Sequence, residues 1–145
     1  MNSYLEQIIQ NANLEVVEYN METRREMNTR DRRLPYYVMS YLKSGCAVLE
    51  IDGTVYETEE GSIVIIPANV LHSHYKIDRK PTTFLWWHFI FKMSYAVDVV
   101  KILDFPVVSQ LKNRGEFENI FSRFYNGSKN MNKISEVLMQ RACGL

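Results

Sequence analysis

Gly61-Ser62-Ile63-Val64-Ile65-Ile66-Pro67-Ala68-Asn69-Val70-Leu71-His72 is the stretch on which the fold of this 145-residue chain turns. Gly61, after Glu59 and Glu60, turns the chain into a continuous apolar run from Ser62 to Ile66. Pro67 has no N–H to give to a ladder and stops the run. Asn69 tolerates φ above zero at low cost, so the chain can turn tightly again before Leu71 and His72. Turn, apolar strand, proline stop and second turn together predict a β-strand inside a compact all-β region.

Working outward, strand follows strand with no room for helices. Tyr36 to Leu42 ends at Lys43, Ser44 and Gly45, and Cys46 to Ile51 ends at Asp52-Gly53. That dipeptide is a strong hairpin signal because both central positions need positive φ. Thr54 to Thr58 then pairs back, and beyond His72 the segments Leu71 to Ile77 and Thr83 to Phe91 complete the β region. So many short antiparallel strands predict a sandwich or barrel.

The flanks read differently. At the start, Leu5, Ile8 and Ile9 share one face of a short helix over Tyr4 to Gln10, and Val16 and Val17 suggest a strand over Leu14 to Tyr19. Met21 to Arg33 is polar, carries five arginines, and predicts an exposed arm or loop. At the other end, Phe105 to Leu111 reads as one more strand. Phe117, Ile120, Phe121 and Phe124 then recur at i, i+3, i+4 and i+7, the stripe of an amphipathic helix ended by Asn126 and Gly127. A second helix, begun near Ser128 to Met131, carries Met131, Ile134, Val137 and Leu138 on one face, so the two predict an antiparallel pair. The expected organisation is helix, strand and arm over 1–33, barrel over 34–112 and helical hairpin over 113–145.

Seventeen basic residues balance seventeen acidic ones. With net charge zero the chain has no overall positive field to attract phosphates, which argues against DNA binding by this segment. The first ten residues lack the flank and core of a secretory signal, and no stretch approaches the roughly 18 apolar residues of a membrane helix. A cytoplasmic protein without membrane contact is expected. Cys46 and Cys143 stand far apart in sequence, with no paired spacing for zinc or redox chemistry, and are expected to be free thiols.

The run Gly61 to His72 resembles the second cupin motif, Gly, five residues, Pro, one residue, Gly, two residues, His, with Asn69 where that motif has its second Gly. Together with the Ser44-Gly45 turn, the Asp52-Gly53 hairpin, the Trp86-Trp87-His88-Phe89 strand and the terminal helices, the layout over residues 28–145 resembles the N-terminal domain of AraC-type transcription regulators. The resemblance implies a mostly β fold: a cupin-like double-stranded β-helix, or jelly-roll barrel, followed by the C-terminal helix pair. It also implies a small-molecule effector held in the barrel, a sugar by the family's habit, and a homodimer formed through the helices. In the family a helix-turn-helix domain follows and contacts DNA; this chain stops at Leu145 without one and is expected to be a fragment.

Metal-dependent cupins take two histidines and a glutamate from a first motif and a histidine from the second. The first-motif region here, Arg30 to Glu50, has no histidine, and the chain has three in all, His72, His74 and His88. His72 and His74 share a strand face and His88 can approach from a neighbouring strand, but no carboxylate accompanies them. No metal or other cofactor and no catalytic residue is therefore expected, and a metal-dependent cupin isomerase or dioxygenase is the alternative reading. For ligand binding the residues proposed are Arg30, Arg33, Tyr37, Met39, His72, His74, Trp86 and His88. An indole can stack on an apolar sugar face, an imidazole can hydrogen-bond a hydroxyl, and a guanidinium fork suits vicinal hydroxyls or a carboxylate. Both tryptophans filling core is the competing reading, and sequence does not choose among Arg30, Arg32 and Arg33. For dimerisation the residues are Phe117, Ile120, Phe121, Phe124, Ile134, Val137 and Leu138.

Overall fold

The chain folds as two antiparallel sheets that share one apolar core, in a computed structural model that describes residues 3–94 and 97–130. A short helix, α1 (Ser3–Asn11), leads into β1 (Asn13–Arg24) and β2 (Asn28–Arg32). Five strands follow in close succession: β3 (Tyr37–Ser44), β4 (Cys46–Ile51), β5 (Thr54–Glu59), β6 (Ser62–Ile66) and β7 (His72–Tyr75). The long β8 (Thr82–Met93), the two-residue β9 (Val97–Asp98), α2 (Val99–Leu103), β10 (Val108–Gln110) and α3 (Arg114–Asn130) complete the described chain.

One sheet runs β1-β8-β3-β6-β10, with β9 on β8, and the other β2-β7-β4-β5. Alternation along the strands decides which side chains meet. Val38 on β3 and Val64 and Ile66 on β6 face Leu49 and Ile51 on β4 in one buried cluster, so the core is drawn from both sheets. A second cluster, Leu42, Ala47 and Phe84, likewise joins β3, β4 and β8. This is the mostly β architecture expected from the strand spacing, in the jelly-roll form that the resemblance implied, and helix α3 follows it in the chain.

The turns carry the backbone conformations their residues suggested. Asp52 and Gly53 have φ of 45° and 81°, and Asn69 after Pro67 has φ of 64°. Gly45 is required twice over: its φ is 84°, and a Cβ there would lie 2.7 Å from the Pro81 carbonyl oxygen. Beside that turn the ammonium of Lys76, whose side chain is 1% exposed, donates to the Cys46 carbonyl at 3.0 Å, to Asp78 Oδ1 at 3.1 Å and to Thr82 Oγ1. It ties the start of β4 to the start of β8.

The structure corrects three expectations. Met21 to Arg33 is exposed but is no loop: β1 continues to Arg24 and β2 occupies most of the remainder. Polar side chains show that a segment is solvated, and they do not stop its backbone from pairing at a sheet edge. The first C-terminal helix does not end at Asn126-Gly127 but runs to Asn130, since one helical Gly costs only about 1 kcal/mol. Leu71 to Ile77 pairs only over His72 to Tyr75. Helix α2, which was not anticipated, starts at Asp98, whose carboxylate accepts from the Val100 and Lys101 amides at 3.1 and 3.3 Å. The proposed second helix, with Met131, Ile134, Val137 and Leu138, lies outside the described residues.

Two compact units are present. One is Val17–Phe89 with Pro106–Lys112 and holds both core clusters; the described part of the other is 3–16, 90–94, 97–105 and 113–130. In the second unit Ile8, Val99, Val100, Phe121 and Phe124 are buried, while Ile120 is 43% exposed. The stripe expected to form a dimer contact is thus divided: Phe121 and Phe124 are already covered within one chain, and Phe117 is half-buried. Among the described residues no helix is long and apolar enough to cross a membrane.

Candidate functional site

Strand register aims four of the expected residues into one space. On β7, His72 lies opposite Ile51 and His74 opposite Leu49, and because Ile51 and Leu49 are core residues, both imidazoles point between the sheets. On β8, His88 lies opposite Val38 and Trp86 opposite Ser40, so with Phe84 they take the inward face. The result is a cavity of about 340 Å³ within the first unit, lined by His72, His74, Trp86 and His88 together with residues of four more strands and of the turn after β1. That volume is at the small end of ligand pockets.

The other four expected residues stand elsewhere. Tyr37 and Met39 alternate with Val38 and Ser40 and take the opposite face of β3, where Tyr37 packs on Phe89 with ring centroids 5.7 Å apart. Arg30 points away from the cavity and stacks on Tyr75, its guanidinium carbon 3.6 Å from the ring centroid. Arg33 Nη1 donates to the Asn69 carbonyl at 2.9 Å. Of Arg30, Arg32 and Arg33, the one that lines the cavity is Arg32. A bulge explains this choice: Thr29 pairs with His74 and Arg32 with His72, so β2 advances three residues while β7 advances two. The extra residue is absorbed around Asp31, whose φ is 48° and whose amide donates to Ser73 Oγ at 3.1 Å.

Sequence reasoning placed a strand over Leu14 to Tyr19, within β1, but missed its contribution to the cavity. Glu18, Glu22 and Arg24 line the cavity, whereas Val17 and Met21 on the alternate positions are 45% and 43% exposed. The signal was a period-2 alternation from Val17 to Met21 and on to Arg24, with Glu18, Asn20, Glu22 and Arg24 on one face and Val17, Tyr19 and Met21 on the other. It runs polar inward and apolar outward, the reverse of an ordinary core strand. Ser40, Thr29 and Met27 contribute the rest of the floor and rim.

The electrostatics keep the imidazoles neutral. Burial holds His74 down to about pKa 4, with nearby His72 pushing the same way, and its Nε2 is buried without a hydrogen-bond partner. His72 is lowered chiefly by burial and also by the charge of Arg32, against a hydrogen bond it donates to the Val70 carbonyl, which raises it. A carbonyl only accepts, so at 3.1 Å from Val70 O the proton is on Nδ1, and Nε2 of the neutral ring is left as an acceptor. His88 is likewise lowered by burial first and by Arg32 second, while Glu18 opposes. Its Nδ1 lies 3.5 Å from Glu18 Oε2, an ion-pair distance without the geometry of a hydrogen bond. The His88 ring sits between Tyr36 and Trp86, with centroids 4.9 and 4.8 Å away. Among the described residues no group of three or more His, Cys, Asp or Glu side chains is placed to hold a metal ion.

This geometry can be set beside known proteins. Residues 16–135 match the AraC-like ligand binding domain. The chain belongs to that family. As an AraC-like ligand-binding domain it carries the cavity just described where its sheets face one another. Its fold is similar to that of the protein YhaK from Escherichia coli, with a TM-score of 0.50 and 13% identity, covering 68% of this chain and 42% of that one. It therefore spans about two fifths of that relative's length. Weaker likenesses include the cupin domain of Cnp3 from Schizosaccharomyces pombe, at TM-score 0.43 and 12% identity over 66% of this chain and 71% of that one. Another is the EutQ protein of Clostridium difficile, at 0.42 and 16% over 54% and 67%. No curated protein matches this chain in sequence.

Proposed function

We propose that this domain is the effector-sensing and dimerisation module of an AraC-type transcription regulator, and that a sugar bound between its sheets is the signal. The observation that carries this reading is the cavity: Trp86 and Phe84 supply apolar faces, while Ser40, Thr29 and three neutral imidazoles supply hydroxyl-matching groups around about 340 Å³. Such a set of apolar platform and convergent polar atoms suits a polyhydroxylated ring. The module is read as a binding protein of the cytoplasm, not an enzyme. Contact with DNA is assigned to a further domain of the regulator, in keeping with the zero net charge of this one.

A thermal-shift panel of neutral and acidic sugars tests the sugar reading. A sugar at 100 times its Kd should stabilise the chain by about 2.7 kcal/mol, roughly 5 to 10 °C. Trp86→Leu should abolish that shift while melting within a few degrees of the parent. A panel in which no sugar moves the melting point would sink the reading.

The segment 113–145, of which α3 is the described part, is assigned the dimer contact, with Ile120 as the described residue that offers an apolar side chain to a partner. Sedimentation velocity should show a dimer that Ile120→Glu converts to monomer. A monomeric parent, or a variant that stays dimeric, would remove Ile120 from that role.

A further inference from the structure

We infer that the effector is a sugar acid whose carboxylate is held by Arg32 and whose hydroxyls are held by His74 and His88, an inference that rests on the sugar reading above. The cavity has two guanidinium groups. That of Arg24 is taken by Glu22 at 2.7 Å. That of Arg32, turned to the cavity by the bulge at Asp31, makes no ion pair among the described residues. A neutral sugar would leave this fork without an ion pair, beside imidazoles whose charged forms it opposes. A carboxylate supplies two oxygens at the spacing of its parallel N–H groups.

The ring nitrogens fix the remainder of the ligand. His74 Nε2 is buried with no partner, and His88 Nδ1 has only Glu18 at 3.5 Å. Buried polar atoms left unsatisfied are costly, so a ligand presenting hydroxyls there is favoured by pairing with them. Neutral imidazoles suit hydroxyls because each ring offers both a donor and an acceptor nitrogen. A phosphate fits less well. Its second negative charge would meet the carboxylate of Glu18 with no further free guanidinium in the cavity to balance it.

The inference is tested by calorimetric titration of the whole chain with glucuronate, galacturonate and gluconate, against glucose, galactose and glucose 6-phosphate. The acids should bind at least roughly tenfold more tightly than their neutral counterparts. Arg32→Gln should weaken the acids roughly 10- to 100-fold and leave neutral sugars unchanged. Arg32→Lys should restore part of the loss, and Arg30→Gln, on the far side of the strand, should have no effect. Arg32 is exposed, and unchanged melting of the unliganded variants will show that they fold. Neutral sugars binding as tightly as the acids, the phosphate binding best, or acid binding that survives Arg32→Gln would each overturn the sugar-acid assignment while leaving the sugar reading in place. No binding of any acid or neutral sugar would remove both.

Discussion

Between pH 6.5 and about pH 4 the protein should lose on the order of 3 kcal/mol of folding stability through one side chain, His74. Its ring is neutral in the folded state with a pKa near 4, against an ordinary value of 6.5. The unfolded chain therefore binds a proton across this window that the folded chain does not, and stability falls as pH falls. The contribution is complete above pH 6.5 and has gone below about pH 4. A shift of about 2.5 units corresponds to roughly 3 kcal/mol. His72 and His88, lowered for the same chief reason, act in the same direction. Urea midpoints measured across this range should decline, and the decline should be markedly shallower in His74→Phe, which keeps a ring of similar size beside Phe84, 6.1 Å away. Equal slopes for the two proteins would show that His74 is hydrated in the folded state.

Leu49→Ala should cost about 2 to 5 kcal/mol. Leu49 has no exposed surface and packs in the cluster of Val38, Ile51, Val64 and Ile66, where β4 of one sheet meets β3 and β6 of the other. Strands held on both sides by ladders cannot move in to fill the space left by three missing carbons, so a cavity remains. The melting temperature should fall by roughly 5 to 15 °C. A loss below about 1 kcal/mol would mean that the two sheets do not share this core. The same substitution at Val55, which is 56% exposed on β5, should be nearly silent.

Local chemistry alone determined much of this protein. Gly45, Asp52-Gly53 and Asn69 turn where their tolerance of positive φ allows, Pro67 ends its strand, and the runs between them become strands because no helix fits in their length. That Trp86 shares a face with His88, and His72 with His74, was legible for the same reason, since strand alternation is a property of the backbone; that Trp86 and His88 turn inward was what the family resemblance implied. Tertiary structure decided what depended on a partner strand. Asp31 adopts a bulge only because Ser73 lies opposite, and that bulge selects Arg32 over Arg30 and Arg33 for the cavity. Tyr37 and Met39 face away because the pairing of β3 with β8 puts Val38 and Ser40 inside. The charged face of β1 turns inward because its neighbours enclose a polar cavity instead of a filled core. Phe121 and Phe124 share a helical stripe with Ile120, and periodicity cannot tell which of them a protein covers with its own chain. Alternation and turn chemistry act within a few residues, whereas register and enclosure are set by strands far apart in sequence.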